Sequence, residues 1–308
     1  MEEIVVSRHA YLIKANNQFE LLQLLLRLLD HPNHDFFIHV DVKAKDFCSE
    51  EIVKAVKHSR VYFTQERLDV AWGSSSIVWC DLLLFKTANA HGPYSYYHLL
   101  SGMDLPLRTA QQIYDFFEDN SGKEFIHYCT DAFCRDPQQK KRIAQYHFLQ
   151  QKIGKSNGPL RIVERLSLLT QRIIGIDRTR AYSGKFSIGS EWCSVTQAFV
   201  EYLLQEEAWI RKHFRWCCIA DECYLQTLTD RSPFRKTLYM PDPQGDYHSC
   251  MRYIDFHRGP GDGSPYIFRG EDFDLLINSG FIFARKFDIK AHPDICYQLE
   301  AYLLGESQ

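Results

Sequence analysis

Between residues 10 and 128 short apolar runs alternate with longer stretches whose apolar side chains recur at helical spacing. Few folds accommodate that order. Ala10-Tyr11-Leu12-Ile13, within an apolar stretch starting at Ile4, predicts a buried strand, and residues 19–29 carry leucines at 21, 22, 25, 28 and 29, one helix face, before the turn Asp30-His31-Pro32-Asn33. Residues 35–41, 61–63, 96–100 and 125–128 read as further strands, and 51–58, 76–90 and 110–118 as helices. Strand–helix alternation of this kind predicts an α/β fold with a mostly parallel sheet covered by helices. Ligands of such sheets bind at the carboxyl ends of strands. Asp41 and Asp104, each just after an expected strand, then lie at the binding edge; helix N-caps or turn residues are the other reading of both.

Residues 131–185 break the pattern. They hold twelve Lys and Arg against four Asp and Glu, a local charge of +8 in a chain of −3, which leaves −11 elsewhere. Ile162, Leu166, Leu169 and Ile173 recur at helical spacing among Arg161, Arg165 and Arg172. Such a basic amphipathic helix either packs its apolar face on the core and solvates its basic face, or rests on an anionic membrane surface. After residue 185 the alternation resumes: a strand over 188–195, a helix over 197–205, a helix after Asp221-Glu222, a Gly/Pro loop at 259–265, a helix over 272–277, an extended run over 281–286 and a closing helix over 295–304.

Composition excludes several classes. Hydrophobic residues at 45% and charged residues at 24% are those of a globular chain, not of a disordered or fibrous one. The near-neutral balance argues against a globally basic nucleic-acid binder. No run reaches the roughly 18 apolar residues of a membrane span, and the N-terminus lacks the basic and apolar regions of a signal peptide, so the chain reads as cytoplasmic. The 10 cysteines form no C-x2-C pair and no Cys/His quartet, which leaves them as small apolar side chains in a reducing compartment rather than zinc ligands.

The sequence has no G-x-G-x-x-G, no Walker A loop and no G-x-S-x-G elbow, so a nicotinamide dehydrogenase, a P-loop enzyme and a hydrolase triad lack support. Its D-x-D, Asp272-Phe273-Asp274, sits where a helix begins, where acids are ordinary first-turn chemistry. Polar groups at element ends remain. Glu222 is a candidate general base or a first-turn acid. Arg285-Lys286 is a candidate phosphate clamp or a surface pair. Gly259, Gly261 and Gly263 suit close approach to an anion or simply a flexible turn.

These blocks, in order along nearly the whole chain, carry a family resemblance. They are Ala10-Tyr11-Leu12-Ile13, Ile38-His39-Val40-Asp41, Val70-Ala71-Trp72-Gly73-Ser74, Leu99-Leu100-Ser101-Gly102-Met103-Asp104-Leu105-Pro106, Gly189-Ser190-Glu191-Trp192, Ala220-Asp221-Glu222, Arg252-Tyr253-Ile254-Asp255-Phe256 and Phe283-Ala284-Arg285-Lys286-Phe287-Asp288. The chain resembles glycosyltransferase family 14, the Core-2/I-branching β-1,6-N-acetylglucosaminyltransferases and peptide O-xylosyltransferases. The W-G-x-x-S block and the last block look most like the xylosyltransferase branch.

The resemblance implies one GT-A domain over 1–308: a nucleotide-binding half (1–130), a basic helical insert (131–185) and an acceptor and catalytic half (186–308). It implies an inverting, metal-independent transfer of xylose or GlcNAc from a UDP-sugar to a glycan hydroxyl, with no cofactor. Matched residue by residue, Glu222 is the base. Ile13 and Asp41 hold the nucleoside, Val70, Ala71 and Trp72 contact the donor, and Ser264, Arg285 and Lys286 hold the diphosphate. Glu191 and Trp192 face sugar and acceptor, with Asp104 beside them and no metal assigned to it. Where xylosyltransferases have Asp then Trp, this chain has Glu191 then Trp192. Animal members carry a membrane anchor and disulfides. The absence of both here points to a bacterial type of member that builds surface polysaccharide on a glycan or lipid-linked glycan, cytoplasmic and peripheral at the inner membrane face through 131–185. The alternative is a carbohydrate- or nucleotide-binding protein of the same fold without catalysis.

Overall fold

A computed structural model describes residues 7–182 and 184–305. Of the first expected strand, the portion at 4–6 lies outside the described residues. The nucleotide-side elements are β1 (His9–Ala15), α1 (Phe19–Leu28), β2 (His34–Val40), α2 (Ser49–Val53), β3 (Arg60–Phe63), α3 (Ser76–Asn89), β4 (Tyr96–Ser101), β5 (Asp104–Pro106), α4 (Ala110–Asp119) and β6 (Phe125–Ile126). The insert holds α5 (Asp131–Arg135), α6 (Pro137–Ala144), α7 (Gln150–Ile153) and α8 (Leu160–Ile173). Then come β7 (Cys193–Thr196), α9 (Gln197–Gln205), α10 (Glu207–Phe214), α11 (Tyr224–Asp230), β8 (Arg252–Ile254), α12 (Phe273–Ile277), β9 (Phe283–Arg285) and α13 (Pro293–Leu304).

The main sheet runs β3-β2-β1-β4-β7-β6. β3, β2, β1 and β4 are mutually parallel, and β7 is antiparallel to both β4 and β6. β1 is buried on both faces, which explains its unbroken apolar run. Its side chains alternate: Tyr11 and Ile13 join the leucines of α1 and the buried face of α13, while Ala10 and Leu12 join α3, α9 and α11. The α/β class, the mostly parallel sheet with helices on both faces and the helical insert are those the GT-A expectation requires. Cys80, Cys193, Cys217, Cys223, Cys250 and Cys296 are buried as core side chains.

Three findings depart from the sequence reading. A second sheet, β5-β9-β8, was not anticipated. Arg252 of β8 ties it to the main sheet: buried completely, its guanidinium donates to the Cys193 carbonyl at 2.7 Å and the Ser194 hydroxyl at 2.9 Å, both on β7. The strand expected over 188–195 is confined to β7, because 188–192 bends along the helix that follows Glu222. There Gly189 lies so close to the His127 carbonyl that a Cβ would stand 1.9 Å from it. Finally, α8 does not pack its apolar face on the core: Ile162, Leu166, Leu169 and Ile173 are 62%, 59%, 51% and 77% exposed, and the residues it buries are Glu164 and Gln171.

Candidate functional site

A cleft of about 570 Å³ opens between the main sheet, the second sheet and the insert. It continues into a smaller lobe of about 250 Å³ at the carboxyl ends of β1, β2 and β4, where Ala15, Asn16, Asp41 and Ser101 lie. Trp72, Glu191, Trp192, Arg285 and Lys286 line both.

Glu222 ends a 3-10 turn, Ala220–Glu222, strapped at both sides: the Ile219 amide donates to the Gly73 carbonyl at 2.7 Å, and the Gly189 amide to the Glu222 carbonyl at 2.8 Å. Its carboxylate enters the large lobe and keeps 39% of its exposure. The Arg142 guanidinium, from α6 of the insert, donates to it at 2.7 Å. Burial within the cleft wall raises the Glu222 pKa, Arg142 pulls it back, and Glu191 adds to the rise. Asp221 beside it is buried with one carboxylate oxygen lacking a hydrogen-bond partner among the described residues. Burial first, then repulsion from Glu191 and Glu222, pushes its pKa well up.

Arg285 and Lys286 leave the end of β9. The antiparallel register sets Arg285 opposite Asp104, and the guanidinium donates to that carboxylate at 3.0 Å. Lys155, from the loop before α8, donates to Ser264 at 2.7 Å and stands 3.8 Å from Asp262. Lys286 has no ion-pair partner among the described residues. Burial lowers its pKa, and repulsion from Arg285 and Lys155 lowers it further. Crowded cations, of which Lys286 has no ion-pair partner among the described residues, are suited to an anion.

The floor is a buried charge triad. The Lys14 ammonium donates to Asp81 at 2.8 Å and Glu191 at 2.6 Å. Burial works against that ammonium, but the two carboxylates outweigh it and hold its pKa up. Burial pushes Asp81 up to about 6 against the pull of Lys14. Trp192 is 6% exposed and lies between Lys14 and Arg285, whose cations are 4.8 Å and 4.2 Å from its ring centre. Trp72 is 41% exposed, with Lys155 at 5.3 Å. Trp72 therefore presents the open ring, and Trp192 is a packed support. The W-G-x-x-S block has a local reason: the Ala71 amide donates to the Ser76 hydroxyl at 2.9 Å, folding the loop that displays Trp72.

The structure thus brings Glu222, Ser264, Trp72, Glu191, Trp192, Arg285 and Lys286 to the large lobe, and Asp41 and Val70 to the small one. Asp41 is committed on both oxygens, to the Lys43 amide at 2.8 Å and the Val70 amide at 3.0 Å. Three residues do not line the cleft. Ile13 is sealed in the core, Ala71 contributes backbone, and Asp104 is buried beneath Arg285, which it orients. Asp272 of the D-x-D is taken by Arg258 at 2.6 Å and the Arg269 amide at 2.9 Å. Among the described residues no cluster of three His, Cys, Asp or Glu has metal-binding geometry.

Lys14, Asp81, Arg142 and Lys155 were missed. A lysine closing an apolar strand and an aspartate inside an apolar helix are visible anomalies that point to Lys14 and Asp81. Arg142 and Lys155 carry no such mark among the insert's many cations.

An α/β domain with a cationic cleft at its strand ends and a carboxylate facing the cations is thereby defined. The Core-2/I-Branching enzyme family model matches residues 9–276, and the chain belongs to this family. Xylosyltransferase 2 of Bos taurus is 25% identical over 97% of this chain and 34% of that protein. The β-1,3-galactosyl-O-glycosyl-glycoprotein β-1,6-N-acetylglucosaminyltransferase of Bos taurus is 26% identical over 91% of this chain and 65% of its own length. The chain spans about a third of the length of the xylosyltransferases it matches. Among solved structures, mouse xyloside xylosyltransferase 1 in its apo form aligns at a TM-score of 0.34 and 10% identity, over 74% of this chain and 83% of that one. Among the described residues no helix is long and apolar enough to cross a membrane.

Proposed function

We propose that this chain is an inverting glycosyltransferase that moves xylose or GlcNAc from a UDP-sugar to a hydroxyl of a glycan or lipid-linked glycan. One observation carries the reading: the Glu222 carboxylate and the cations of Lys155, Arg285 and Lys286 share the walls of one cleft. Glu222 takes the acceptor hydroxyl proton as that oxygen attacks the anomeric carbon from the face opposite the nucleotide. The bond from that carbon to the diphosphate breaks, and its electron pair leaves with UDP. Arg285, Lys286 and Lys155 offset the charge that develops on the phosphate, electrostatic work that a divalent cation does in other enzymes, so the transfer runs without metal. Trp72 offers its open face to a sugar ring.

The whole of 1–308 is read as one GT-A domain. The thiols buried as core side chains support a cytoplasmic enzyme, and bacterial surface polysaccharide synthesis is the process proposed for it. The test is Glu222→Gln assayed in EDTA with UDP-xylose and UDP-GlcNAc. Transfer falls by about 10²–10⁴-fold while UDP still shifts the melting temperature. Undiminished transfer in the variant removes Glu222 as base, and a wild-type rate that EDTA abolishes and manganese restores removes the metal-free mechanism. A UDP-induced shift with no transfer by the wild type favours the non-catalytic binder.

A further inference from the structure

Helix α8 is mounted on the protein by its polar face. Gln171 holds the Tyr146 backbone from both sides: its side-chain oxygen accepts the amide at 2.8 Å, and its amide nitrogen donates to the carbonyl at 2.9 Å. Gln145 donates to the Leu168 carbonyl at 2.7 Å, and Glu164 accepts the Leu149 amide at 3.3 Å. The face turned away from the protein is aliphatic. At about 100° per residue, Ile162, Val163, Leu166, Leu169 and Ile173 fill an arc of about 120°, and all five are exposed. Arg161, Arg165 and Arg172 occupy an adjoining arc of about 40° along one edge of that stripe. Arg165 and Arg172 are exposed and Arg161 half-exposed. Glu164, the one acid of the helix, is buried on the other side.

From this geometry we propose that α8 is an interfacial helix by which the protein docks on an anionic lipid bilayer. A row of aliphatic side chains beside a row of arginines matches the boundary between acyl chains and anionic headgroups. A second copy of the chain fits less well. A two-fold contact pairs a patch with itself, and this helix offers its own arginines no outward carboxylate to meet. The contact also has a place in the molecule. Lys155, five residues before α8, is part of the cleft wall, so docking sets that wall beside the bilayer, where a lipid-linked acceptor resides. That last point rests on the proposed glycosyl transfer. The lipid contact itself does not, and its test reads binding without activity.

The test is co-sedimentation of the full chain with vesicles of equimolar phosphatidylcholine and phosphatidylglycerol, compared with phosphatidylcholine alone. The expected result is binding to the anionic vesicles that weakens with salt and is absent with the neutral ones. The double variant Leu166→Asp/Ile173→Asp, folded by circular dichroism, loses the binding. Arg165→Gln/Arg172→Gln weakens it roughly twenty-five-fold, since each surface cation contributes about fivefold. The proposal is overturned if the wild type stays in the supernatant at low salt, if the aspartate variant binds as well as wild type, or if neutral vesicles bind equally. It is also overturned if sedimentation velocity shows a dimer that the aspartate variant makes monomeric.

Discussion

Helices α1 and α8 are both amphipathic, and both carry aliphatic side chains at spacings of three and four, yet they face opposite ways. In α1 the leucines at 21, 22, 24, 25, 26 and 28 are sealed in the core. In α8 the equivalent row faces away from the protein while Glu164 and Gln171 hold the helix down. Periodicity tells that a helix has two unlike faces; which one meets the protein is decided by what stands opposite. Opposite α1 stand the apolar residues of β1 and β2. Opposite α8 stands the backbone of Tyr146 and Leu149, whose amides and carbonyl need polar partners.

The comparison is sharpest in stability. Leu25→Ala opens a hole in the core and costs about 2–5 kcal/mol, whereas Leu166→Ala changes stability by no more than about 0.5 kcal/mol. Denaturant unfolding of the two variants measures the gap, and equal losses would show that α8 is packed after all. Gln171→Leu, which makes α8 more apolar, should nevertheless destabilise it by about 1–3 kcal/mol, because the Tyr146 amide and carbonyl lose their partners. Hydrogen exchange across 145–173 reads this directly, and unchanged protection refutes the polar mounting.

The smallest effect concerns what the insert sends into the cleft. As the proposed base Glu222 works only when ionised, and burial raises its pKa, so kcat/KM is present above that pKa and lost as pH falls through it. Arg142 stabilises the ionised form. Arg142→Gln therefore raises the pKa further and moves the acid limb of the pH profile to higher pH; a limb that stays in place would mean that the ion pair does not govern the base.

Much of the frame was legible in the sequence, and the reasons are local. Strands buried on both faces read as apolar runs, so β1, β2 and β4 were found within a residue or two, as were α1, α3 and α9. Of the second sheet only the run that holds β9 was legible, because β5 and β8 have three residues each and no period can show in three residues. Its absence also hid why Asp104 and Arg285 meet: their pairing is a matter of strand register, across 181 residues of sequence. In the cleft, side chains that end strands or belong to a family block were found. Arg142 and Lys155 were not, because nothing in a stretch rich in Lys and Arg distinguishes a cation that reaches the cleft from one that reaches water.

Arg252 also makes one sheet depend on the other. A guanidinium keeps its charge at any pH a cell meets, and it is buried in a protein interior only where acceptors meet it. Those acceptors are on β7. β8 is thereby tied to the main sheet, and β9, which pairs with β8, carries Arg285 and Lys286 with it. The cationic wall of the cleft is thus fastened to the main sheet through one buried side chain that lies outside the cleft.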